Sequence, residues 1–237
     1  MRSGRMTLAL AVGGVCALVA VSALAVRAAT TAPTRAQGEL PLEAFVPERV
    51  GTLEQEAWAA YYYREWPRLG QLLLELIQGQ FGLSPAQAVE AALLATRAQV
   101  VFAERGAQGG EAEEYMRQFY ALVRDSSGGE YDPDRAAALE LDWWVVHRNR
   151  AQYPDTTALV DALAALNAEV YRLPVDAARP AAEHRALAME ASDLWIAEGK
   201  DRASPLLATV REELVLSYQA LHDVLEARRA ARMSPPG

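Results

Sequence analysis

The chain has 237 residues, 51% of them apolar and 23% charged, which is the profile of a folded globular protein and excludes a disordered one. Arg2, Arg5, Arg27 and Arg35 lie in an N-terminal stretch without acids, so the remaining chain sets 31 acidic side chains against 19 basic ones. Such a surface repels phosphate backbones and anionic lipid, so no nucleic-acid role is expected.

Thr7 to Val26 is a run of 20 residues without a charge, preceded by Arg2 and Arg5. As a helix it would span about 30 Å, the thickness of a bilayer core. The rival reading is a cleaved signal peptide, with small residues at Ala23-Leu24-Ala25 and Val26-Arg27-Ala28. The apolar core of a signal peptide is shorter, roughly 7–15 residues. Residues 1–27 are therefore expected to form an uncleaved anchor that meets the membrane through residues 7–26; cleavage would give a secreted protein. Arginines flank both sides, so charge hardly sets the orientation. The signal-like start places the domain outside the cytoplasm. Residues 28–50, rich in Thr, Pro, Ala and Gln from Ala28 to Pro47, read as a flexible linker. The lone cysteine, Cys16, lies in the apolar run, so the domain has no disulfide, thiolate metal site or cysteine nucleophile.

Residues 51–230 show an apolar period of 3.6 and no convincing strand, predicting an all-α array of about seven helices. Trp58, Tyr62, Trp66, Leu69, Leu73 and Leu76 form one stripe, which Pro67 should kink or split. Ser84-Pro85-Ala86-Gln87 carries a serine cap, a proline at the first helical position and a glutamine at the third. It opens a helix that runs to about Gly106. Glu111, Glu113 and Glu114 suit the positive end of the next, which carries Met116, Phe119 and Val123. Asp132-Pro133 starts a helix through Leu139, Trp143 and Val146, and Pro154-Asp155-Thr156 one through Leu159, Leu163 and Val170. A helix from near Asp176 tolerates Pro180 in its opening turn and ends at Gly199. Ser204-Pro205 caps the last, and residues 231–237 form a disordered tail. No repeat of fixed period is present, which argues against a solenoid.

Several sites are excluded by spacing. The residues three before His147, His184 and His222 are Trp144, Ala181 and Gln219, so the Glu-x-x-His pairs of a di-iron bundle are missing. No His-Glu-x-x-His occurs, no two aspartates lie four apart, and Gly199-Lys200 is followed by Asp201 rather than a hydroxyl residue. Gly82-Leu83-Ser84 lacks the second glycine of a nucleophile elbow, since Ala86 stands there. No cofactor and no metal ligand is assigned.

Two segments could carry chemistry. Glu140, Trp144 and His147 share a helix face, with Arg148 one turn beyond Trp144. A carboxylate, an indole, an imidazole and a guanidinium could bind an anionic or aromatic ligand or exchange protons. The competing and weightier reading makes the tryptophans core and His147 a hydrogen-bonder near a helix end. In Glu183-His184-Arg185, His184 shares a stripe with Ala188, Ala191 and Trp195, while Arg185 shares the neighbouring one with Met189 and Asp193. A histidine on an apolar stripe is usually buried and satisfied. The ligand reading gains only if both segments face one cavity.

These stretches also carry a resemblance. Glu56-Ala57-Trp58 to Trp66-Pro67-Arg68, Trp143 to Arg148, Arg179 to Arg185 and Ser217-Tyr218 together resemble an uncharacterised bacterial all-helical family without known activity. The resemblance spans roughly residues 54–222 and implies a single helical domain, with no mechanism attached. The leading functional expectation is a membrane-tethered helical module, not an enzyme, that binds a partner protein or a small ligand. The alternative is an enzyme or ligand sensor using Glu140, His147, Arg148, His184 and Arg185. A weaker third is a haem or metal protein using one histidine.

Overall fold

The computed structural model describes residues 40–233, except 109, 150, 151 and 154. The anchor segment 7–26, residues 28–39 of the linker and residues 234–237 of the tail lie outside the described residues, whereas 231–233, expected in the disordered tail, continue the last helix. Among the described residues eight α-helices follow a short 3-10 turn at Pro41–Glu43: α1 (Pro47–Tyr63), α2 (Trp66–Phe81), α3 (Pro85–Arg105), α4 (Glu111–Ser127), α5 (Pro133–Arg148), α6 (Thr157–Tyr171), α7 (Val175–Ala197) and α8 (Leu206–Met233). There is no strand among the described residues, and no helix there is long and apolar enough to cross a membrane.

Eight helices replace the expected seven because the first aromatic stripe is split rather than kinked. Arg64 adopts a left-handed conformation (φ 60°), and its N–H and that of Glu65 close α1 on the carbonyls of Tyr61 and Ala60. Pro67 then falls in the opening turn of α2, where its missing N–H costs nothing. The capping box at Ser84 forms as its sequence requires: the Gln87 N–H donates to Ser84 Oγ (3.4 Å), and the Ser84 N–H donates to Gln87 Oε1 (3.0 Å). Asp132 caps α5 through the Asp134 N–H (3.0 Å).

A second correction concerns the linker. Residues 41–50, expected in the linker from their composition, pack instead: Leu42, Ala44, Phe45 and Val50 are buried. The Thr- and Ala-rich composition belongs to the residues before Gly38; from Leu40 the chain is apolar enough to pack. Phe45 makes edge-on contacts with Tyr171, Tyr218 and His222, and Glu43 pairs with Arg228 of α8. Arg228 also donates to the carbonyls of Tyr171 (2.6 Å) and Arg172 (3.1 Å), joining the N-terminal turn, the end of α6 and α8.

Each helix packs against the next in sequence, and α8 packs against α1, so the array closes on itself. The closing contact depends on Gly51. A Cβ there would lie 2.7 Å from the backbone nitrogen of Val215 and 2.8 Å from its Cα, closer than real contacts allow. Gly51→Ala gains helix propensity of up to about 1 kcal/mol. Because the obstacle is backbone, α1 and α8 must part, and overpacking of this kind costs about 1–3 kcal/mol. We expect a net loss in thermal unfolding; an unchanged or raised midpoint would show that the helices do not approach so closely.

Candidate functional site

The closed array brings polar groups to its interior. On α1 the buried positions are Val50, Gly51, Leu53, Glu54, Ala57 and Ala60, so Glu54 sits on the apolar stripe. Its carboxylate accepts two hydrogen bonds from Arg185 of α7 (2.6 and 3.0 Å) and one from the Tyr218 hydroxyl of α8 (2.7 Å). Burial opposes the charge on Arg185, but Glu54, with Tyr218 and Glu140 behind it, holds the guanidinium pKa above its ordinary value. Burial, and then the same carboxylate, raise the Tyr218 hydroxyl well above the usual tyrosine range.

A second carboxylate, Glu140 of α5, accepts from the Tyr120 hydroxyl of α4 (2.7 Å) and from the Trp144 indole N–H (3.0 Å). Tyr131 extends this cluster by donating to the Tyr120 carbonyl (2.8 Å). Arg185 and Glu140 lie within electrostatic reach of each other. Burial raises the Glu140 pKa, against the opposing pull of Tyr120, Trp143, Arg185 and Trp144. A carboxyl with a raised folded pKa is penalised once it ionises. Stability should fall as pH rises from about 4.3, the unfolded value, through the folded pKa, and stay lower above it. Glu140→Gln should flatten that slope in pH-dependent urea unfolding; an unaltered slope would place the titration elsewhere.

The candidate residues named from sequence thus separate. Glu140 and Trp144 share a buried hydrogen bond, and Arg185, bound to Glu54, lies within electrostatic reach of Glu140. His147 and Asp193 of α7 face each other at 3.4 Å without hydrogen-bond geometry. Arg148 turns away to α3: it donates to the carbonyls of Phe102 (2.7 Å) and Ala103 (3.4 Å) and stacks its guanidinium on the Phe102 ring, 4.8 Å from the centroid. Both carbonyls belong to the last turn of α3, and that of Phe102 also accepts the Gly106 N–H. His184 faces α8, where Nδ1 meets Glu213 at 2.8 Å. The imidazoles and Arg148 do not converge with Glu140 on one cavity. Among the described residues no group of three or more histidine, cysteine or acidic side chains is placed to hold a metal.

The weightier reading of the sequence packs both tryptophans in the core, Trp143 on the stripe of Leu139 and Val146. Trp144 is buried, with Phe102 at 5.1 Å and its N–H on Glu140, whereas Trp143 is half-buried at the seam between two apolar clusters. The Trp143 N–H lies near Glu140 but makes no well-formed hydrogen bond. Trp144→Ala should cost about 3–5 kcal/mol in chemical unfolding, with Trp143→Ala costing clearly less. The reverse order would contradict this packing.

Glu54, Tyr120 and Tyr218 were not selected from sequence. The available signal was an acid on a buried stripe: Glu54 between Val50 and Ala57, and likewise Glu169 between Leu166 and Val170, where it is also buried. Comparison with protein-family models, curated proteins and solved structures gives no match. That agrees with the resemblance to an uncharacterised family, whose bacterial origin the comparisons do not show.

Proposed function

We propose that the chain is a membrane-tethered helical module that binds a partner and performs no chemistry of its own. The observation that carries this reading is how its most reactive-looking groups are used. Glu54, Glu140, Arg185 and Arg148 direct their hydrogen bonds to groups of the same domain, all on other helices except the bond from Trp144 to Glu140 within α5. A catalytic group needs free capacity directed at a substrate. Buried networks of this kind fix the mutual register of helices.

A partner protein is favoured over a small ligand by α7. Leu187 and Leu194, seven residues apart on one face, are 46% and 55% exposed. Apolar side chains repeated at helical spacing on a solvent face suit a partner helix or groove. The tether rests on the uncharged run 7–26, with the domain outside the cytoplasm.

The test has two arms. A reporter active only after export, fused after Gly38, should be active, and the full chain should resist alkaline extraction from membranes. Cross-linking in membranes should capture a protein on the parent chain but not on Leu187→Glu/Leu194→Glu. An active cytoplasmic reporter would overturn the topology. A capture pattern indifferent to both leucines would overturn the partner surface.

A further inference from the structure

A shallow, open depression of about 260 Å³ lies where α5 begins and α6 ends, lined by Arg135, Ala165, Ala168, Glu169, Arg172, Leu173 and Val175. Glu169 is buried at its floor. Its carboxylate accepts from the Asp132 backbone N–H (3.0 Å) and pairs with Arg135 Nε (3.0 Å) and Arg172 Nη1 (3.1 Å). One carboxylate therefore holds two guanidinium groups, leaving one excess positive charge. Each guanidinium has five N–H donors, and among the described residues Glu169 is the only side-chain partner of either. Their side chains are 68% and 54% exposed, so the unused donors face water.

Other features favour an anion with an apolar part. Val175, 45% exposed, opens α7, whose N-terminus has no side-chain cap, so its dipole adds positive potential. Ala165, Ala168, Leu173 and Val175 supply an apolar wall beside the guanidinium rim. Neither neighbouring acid lines the depression: Asp132 caps α5 and Asp176 is exposed on the first turn of α7. Arg172 itself holds a left-handed conformation (φ 52°) that glycine or asparagine would adopt more readily.

We propose that this depression binds a carboxylate carrying a short apolar group, held by Arg135 and Arg172 with the apolar part against Val175 and Leu173. The inference extends the binding-module reading to a small-ligand site apart from Leu187 and Leu194, so its failure would leave the partner surface standing. Two sources share this chemistry, a free short-chain acid and the C-terminus of a peptide.

The probes are sodium hexanoate, N-acetyl-leucine and neutral hexanamide, titrated calorimetrically into the full-length chain in detergent at neutral pH. Saturable binding of a carboxylate is expected, with none for hexanamide. Arg172→Gly suits the local backbone and Arg135→Ala removes an exposed side chain, so both should fold, as circular dichroism would verify. Each should weaken binding about tenfold or more, the size of a lost charge-assisted hydrogen bond. Tighter binding of N-acetyl-leucine would indicate a peptide C-terminus, and tighter binding of hexanoate a free acid. No saturable binding of either carboxylate to the parent chain, equal binding of hexanamide, or affinities unchanged in both variants would overturn the proposal.

Discussion

Arg185→Ala should destabilise the domain by about 3–5 kcal/mol, because it strands Glu54 in the interior without its counter-charge. Both partners are sheltered: the side chain of Arg185 is 20% exposed and that of Glu54 7%. The two-pronged geometry, at 2.6 and 3.0 Å, adds directional bonding that an ammonium cannot reproduce, so Arg185→Lys should fall between alanine and the parent. The double variant Glu54→Gln/Arg185→Met should recover much of the loss, since removing both charges also removes their desolvation cost. Urea unfolding of the three variants measures this directly. A loss from Arg185→Ala below about 1 kcal/mol, the range of a surface ion pair, would show that water reaches the pair.

Phe45→Ala should produce a loss of similar size, about 3–5 kcal/mol for a large buried aromatic. Phe45 is only 2% exposed and touches rings from the end of α6 and from two positions of α8. A fragment beginning at Gly51 should fare worse, since it also lacks Leu42, Val50 and the Glu43 partner of Arg228. A fragment beginning at Gly38 should unfold like the full domain. Equal midpoints for the two fragments would mean that the N-terminal turn is only laid against the helices and adds nothing to their stability.

The helices could be read in the sequence wherever local chemistry decides them. Ser84, Asp132 and the acids of the α4 first turn announce helix starts through groups within three residues, and Gly82 and Gly128 end helices because they accept positive φ. The break at Arg64 was less legible, because a non-glycine residue takes the left-handed position there and only Pro67 hints at it. The site was legible in part. Glu140 and Trp144 are four apart on one helix, so their hydrogen bond follows from spacing. The partner of Arg185 is 131 residues away and that of Arg148 is 46, and no periodicity points across such distances. The unequal burial of Trp143 and Trp144 has the same origin. They differ by about 100° around α5, and which face is buried depends on where α3 and α6 lie.

The closure of α8 on α1 also has a consequence in time. The chain is made from its N-terminus, so α1 leaves the ribosome long before the helix that covers it. Arg185 is synthesised 131 residues after Glu54 and Tyr218 164 residues after it; at about 5–20 residues per second, the carboxylate waits on the order of ten seconds for its partners. Until then the groove around Gly51 stands open and the stripe Val50, Leu53, Ala57 and Ala60 has only α2 against it. The intermediate helices can pair with their sequence neighbours as they emerge, but the first stays half-dressed until the last arrives. The unfinished domain is therefore most open to wrong associations at α1, and the fold closes only once α8 has been made and can reach it.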